Sequence, residues 1–203
     1  NGTINFDGNG GCGVPNYTID VDSTVSFYNV SITGAEACGS NGTPRIRVAS
    51  GDNVDVDNDF TITDGSLRDG DWFIQGDFTT GGSVDNAGDK ALAIFTFNGT
   101  DEQTISATGG TGIIPQITID KPSGNLLLQD TLRIAGDWTY VSGSVNAGSS
   151  HIKIGTTRAS NGYDITIDSG TMSFNDVTLD IGEKCCGNMQ LFVTGEMEFN
   201  GDF

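Results

Sequence analysis

Gly76-Asp77-Phe78-Thr79 returns further along the chain as Gly136-Asp137-Trp138-Thr139, and the same offset carries Asn86-Ala87-Gly88 onto Asn146-Ala147-Gly148. Gly201-Asp202-Phe203 opens the motif a third time. A second, longer offset sets Phe27, Val30, Ile32, Glu36 and Cys38 beside Phe174, Val177, Leu179, Glu183 and Cys185. Shorter echoes join them: Ile4-Asn5-Phe6-Asp7-Gly8 resembles Phe95-Thr96-Phe97-Asn98-Gly99, and Ile-Thr-Ile-Asp stands at both 117–120 and 165–168. Repeats of unequal length around constant strand cores describe a coil whose loops vary while its rungs stay in register.

Outward from these motifs, apolar and polar residues alternate almost everywhere, as in Val54-Asp55-Val56-Asp57, Phe60-Thr61-Ile62 and Met197-Glu198-Phe199. A period of two places the apolar members on one side of a strand and Asp, Thr, Asn or Glu on the other. Turn clusters such as Asp64-Gly65, Gly81-Gly82, Asn98-Gly99 and Ser123-Gly124 separate the strands. Gly, Asn, Asp, Ser and Thr recur too often for helix interiors. The expected fold class is therefore all-β with essentially no α-helix: one parallel β-solenoid over residues 1–203, with approximate repeats at 4–94, 95–151 and 152–203. At roughly 20 to 25 residues per rung and about 4.8 Å between rungs, it would have about eight to ten rungs. Tandem sandwiches would instead predict antiparallel hairpins and a period near about 100 residues.

Of the 203 residues, 30 are glycine, 27 are Asp or Glu and nine are Lys or Arg, giving a net charge of -18. A surface of that sign repels phosphate backbones and anionic bilayers, which argues against nucleic-acid and membrane partners. No apolar run is long enough to span a bilayer. The absence of an initiator methionine and the broken-off final motif read as a processed chain or a piece of something longer.

One stretch carries a family resemblance. Phe95-Thr96-Phe97-Asn98-Gly99-Thr100-Asp101-Glu102-Gln103-Thr104-Ile105 is followed by Ile117-Thr118-Ile119-Asp120-Lys121, by Leu126-Leu127-Leu128, and by Thr131 through Gly136-Asp137-Trp138. This order resembles the right-handed β-helix repeats of large secreted bacterial surface proteins, gliding-type adhesins among them, best over residues 95–155. The resemblance implies a right-handed coil, a location outside the cell or on its surface, and a role as stalk or adhesive fibre. No catalytic residue carries over from it.

The search for chemistry supports that reading. His151, the sole histidine, alternates onto the outward face with Lys153. There is no phosphate-binding loop, nucleophile elbow or His-Glu-x-x-His helix. Outward Asp residues on stacked rungs create carboxylate pairs by default, so glycoside hydrolysis has no specific signature, and the chain is not expected to be an enzyme. No cofactor is required. Calcium is the candidate ligand, because Asp55, Asp57 and Asp59 leave one strand face together, as do Asp20 and Asp22, and hard oxygen donors suit that ion. Cys12, Cys38, Cys185 and Cys186 allow three disulfide pairings, between which the sequence does not choose. Asn1, Asn16, Asn29, Asn41 and Asn98 begin Asn-x-Ser/Thr sequons and are glycosylation candidates. Tyr28, Tyr140 and Tyr163 are candidates for an exposed sugar-binding strip, while Trp72, Trp138 and most Phe residues fall on the core parity. The expected function is a structural or adhesive extracellular solenoid, a stalk segment or filament subunit. Its expected partners are further turns stacked end to end and, as candidates, surface glycans. The alternative is a carbohydrate-binding or polysaccharide-degrading module on the same scaffold.

Overall fold

The computed structural model describes residues 2–7, 16–33, 45–84, 92–110, 112–154, 164–179 and 190–202. Among these, every strand pairing is parallel, so the chain is a parallel β-solenoid and the hairpins of a sandwich are absent. The described helical content is a single three-residue 3-10 turn, Thr108–Gly110.

Pairing registers resolve each turn into three faces. On face one, Val25, Val54, Trp72, Phe95, Ile117, Trp138, Ile165 and Leu191 lie beside one another on successive turns. The step along the chain is long from Val25 to Val54 and short from Val54 to Trp72, so the rung length varies while the register holds. Face two stacks Ile4, Val30, Phe60, Phe78, Ile105 and Leu128. Face three stacks Tyr17, Ile46 and Leu67, and later Leu132, Ile152 and Val177.

These inward rows fill the lumen. Trp72, Phe95, Trp138, Phe60, Ile105, Leu132 and Ile152 are all fully buried. Faces one and two meet in an aromatic cluster: the Phe60 ring lies 5.1 Å from Trp72, 5.6 Å from Phe78 and 5.5 Å from Phe95. Stacked and edge-to-face rings at these distances add specific attraction to area burial. Phe199 and Leu191, in the last described turn, are 38% and 58% exposed.

Both Ile-Thr-Ile-Asp copies lie on face one, but the Gly-Asp-aromatic repeats do not coincide with the rungs. Gly76-Asp77-Phe78 leads into face two, where Phe78 lies between Phe60 and Ile105. Gly136-Asp137-Trp138 leads into face one, where Trp138 lies between Ile117 and Ile165. Asp202 sits on face three, its carbonyl accepting the Val177 N–H at 3.0 Å. The longer offset also changes face, from Val30 on face two to Val177 on face three. At Gly76 and Gly136 the Gly-Asp-aromatic motif marks a corner followed by a strand, and in all three copies the aspartate carbonyl accepts an N–H from the preceding turn.

Truncating Phe60 to Ala should cost about 3–5 kcal/mol, because it empties the contact between two faces. Phe199→Ala should cost only about 1 kcal/mol, in line with its partial exposure. Urea unfolding of the two variants checks the difference, and similar losses would refute this account of the core.

Candidate functional site

The corners give several aspartates a structural task. Where the chain leaves one face for the next, a backbone N–H turns away from the strand ladder and needs another acceptor. Before face two, Asn29 Oδ1 accepts the Asp59 N–H at 3.1 Å and the Asn58 side-chain amide at 2.8 Å. One turn on, Asp59 Oδ1 accepts the Asp77 N–H at 3.3 Å, and Asp77 Oδ1 accepts the Thr104 N–H at 2.7 Å. Asp137 does the same for Asp164 at 2.9 Å, and Asp176 for Asp202 at 2.9 Å. A carboxylate receiving a backbone N–H makes a charge-assisted bond, stronger than its neutral counterpart.

This arrangement engages one of the proposed calcium ligands, Asp59. Asp55 points outward from face one, partly buried, between Ser26 and Phe73 in the register. Asp59 serves the corner ladder, while Asp20 and Asp22 lie between faces three and one. Among the described residues no group of three or more His, Cys, Asp or Glu side chains is arranged to hold a metal ion. Desolvation raises the pKa of the Asp55 carboxyl above its ordinary 3.8, the Asp57 charge adds to the rise, and a hydrogen bond from Ser26 opposes it.

A buried polar node lies inside the corner between faces one and two. Gln103 is fully buried on the inward parity, beside Ile105 and Ala107. Its amide donates to the carbonyls of Ile74 at 2.9 Å and Gly76 at 2.7 Å, and its Oε1 accepts the Gly99 N–H at 3.0 Å. Lys121, only 2% exposed, donates to Gly99 O at 2.8 Å, Asp101 O at 2.9 Å and Gln103 Oε1 at 2.7 Å. All three ammonium hydrogens thus have acceptors, as burial demands. Desolvation lowers the lysine pKa, with the Asp101 charge partly opposing. Gly99 has to be glycine here, since a Cβ would collide with the Gln75 carbonyl oxygen. The sequence reading missed this node, although glutamine at an inward position was the available signal.

The remaining candidates divide between described and undescribed residues. Cys12, Cys38, Cys185, Cys186, Asn1, Asn41 and Tyr163 lie outside the described residues, as does the side chain of Asn16. The Asn29 side chain is engaged in the corner ladder and donates to Thr3 Oγ1 at 3.3 Å. Asn98 places its Oδ1 out of solvent next to the buried node. His151 is partly exposed, with Nε2 2.7 Å from Thr178 Oγ1. The tyrosine strip does not form: Tyr140 is buried at 2% exposure and donates to Gly143 O at 2.6 Å, whereas Tyr28 is 39% exposed. The inward parity of Tyr140, two positions after Trp138, puts it in the lumen.

One open cleft of about 560 Å³ lies where face three turns into face one. Arg47 Nε meets Asp69 Oδ2 there at 2.8 Å, with Asp52, Asn53 and Asp71 around them. Compared with known proteins, the chain matches no family profile, no curated protein and no solved structure.

Replacing Lys121 by Met should destabilise the fold by about 3 kcal/mol, because three buried acceptors lose their donor. Urea unfolding measures this, and a neutral result would refute the node's role. For Asp55 the sign follows from its raised pKa. The folded state holds the proton more tightly than the unfolded chain, so stability falls as pH rises from 3.8 through the raised value. Asp55→Asn should therefore gain stability relative to the parent chain between about pH 3 and pH 7, read from unfolding midpoints across that window.

Proposed function

We propose that this chain is a structural or adhesive extracellular rod, a segment of a cell-surface stalk or a subunit of a filament, joined end to end to further turns. Those turns belong to the same chain or to another copy. The observation carrying this reading is the continuity of one row: Trp72, Phe95 and Trp138 are fully buried, each between the turns on either side of it. Turns of this coil bury their inward rows only when another turn stacks on them. An exposed strand edge with apolar side chains is also a template for further pairing.

The load path supports a mechanical role. Strand hydrogen bonds and corner carboxylates both run from turn to turn along the coil, so the same contacts that define the fold resist its extension. The acidic surface keeps such rods apart sideways while leaving their ends free to meet. The resemblance of residues 95–155 to surface-adhesin repeats points to the same location and role.

Sedimentation and electron microscopy across a concentration series test the self-association. Rods should lengthen with concentration, and Leu191→Glu combined with Phe199→Glu should shorten them to single units. Rods of one unchanging length in the parent chain would refute end-to-end joining.

A further inference from the structure

We propose that the cleft where face three turns into face one binds a neutral saccharide. This assigns an adhesive contact to the rod without depending on whether rods join end to end. The cleft lies between the Ser50-Gly51 turn and the Asp69-Gly70-Asp71 stretch of the following turn, and its volume of about 560 Å³ is within the range of small-ligand sites.

Two glycines shape it. Gly70 adopts φ +107°, and a Cβ there would strike the buried Val48 side chain, so the two turns pack closely at this point. Gly51, at φ +93°, has open space around it. Arg47 reaches along the cleft, 54% exposed, with its Nε held by Asp69. That contact orients the guanidinium fork, which offers further donors in fixed directions.

The lining selects the ligand class. Asp52, Asp69 and Asp71, on a chain of net charge -18, repel anions. A divalent cation is poorly served, because Arg47 balances Asp69 and Asp52 Oδ2 already accepts the Val21 N–H at 2.8 Å. An apolar ligand would find only Ala49 and the edge of Val48, itself 2% exposed. A neutral ligand dense in hydroxyl groups meets all of these conditions. Each hydroxyl both donates and accepts, so a sugar can donate to Asp71 and accept from Arg47 across one ring.

The test is a printed array of neutral and acidic glycans, probed with the labelled full chain. Neutral glycans should bind, and Arg47→Ala and Asp71→Asn should each weaken that binding at least tenfold. Lys153→Ala, outward on face three in a much later turn, should leave it unchanged. Arg47→Lys, which keeps the charge but not the fork, should weaken it as well, and thermal unfolding of every variant should match the parent chain. Binding confined to acidic glycans, binding that survives both Arg47→Ala and Asp71→Asn, or an absence of binding would overturn the proposal. Loss of glycan binding by rods that still lengthen refutes this site alone. Unchanging rods that bind glycans refute only the end-to-end reading.

Discussion

At several corners one amide leaves the strand ladder, and in this solenoid the side-chain oxygen of an Asn or Asp one turn away receives it. The series Asn29, Asp59, Asp77 and Thr104 follows one corner through consecutive turns, each bond running from one turn to the next. Without these acceptors, each corner would leave a polar group to solvent or to burial, and the stacking of inward rows would lose its fixed register. The three faces, their lumen and the outer surface all depend on that register.

The same interaction employs part of the acidic surface. Each carboxylate spent on a backbone N–H, such as those of Asp59, Asp77, Asp137 and Asp176, is withdrawn from cation binding. Asp59 illustrates the competition. It shares strand parity with Asp55 and Asp57, yet its Oδ1 faces the next turn. Asp55 shows the cost of leaving a carboxylate partly buried near a like charge, in a pKa shifted upward by desolvation and by Asp57.

The Gln103–Lys121 node solves a related problem by other means. The loop between faces one and two turns its carbonyls inward, and a single buried ammonium gathers Gly99, Asp101 and Gln103 together. A buried charge of this kind is tolerated because every donor is matched, and it makes the corner specific rather than merely compact. The cleft near Arg47 is the opposite case, a corner where the Gly51 turn borders unfilled space.

The alternation of apolar and polar residues was enough to establish an all-β chain and the inward side of each strand. Strand parity is a local property with a period of two, so Trp72, Phe95 and Trp138 could be assigned to the core from their neighbours alone. Which residues share a row could not be read this way. The stretch of chain between one turn and the next is short from Val54 to Trp72 and long from Val25 to Val54, because loop length changes while strand spacing does not. Motifs repeated at a fixed offset, such as those opening on Gly76 and Gly136, therefore share a local corner chemistry but occupy different faces. Only the tertiary structure brought Lys121 to Gln103, set Asp59 against Asp77 rather than beside Asp55 and Asp57, and opened the cleft between Arg47 and Asp71. Each of these depends on contacts between turns, and the length of a turn is set by how its loops pack.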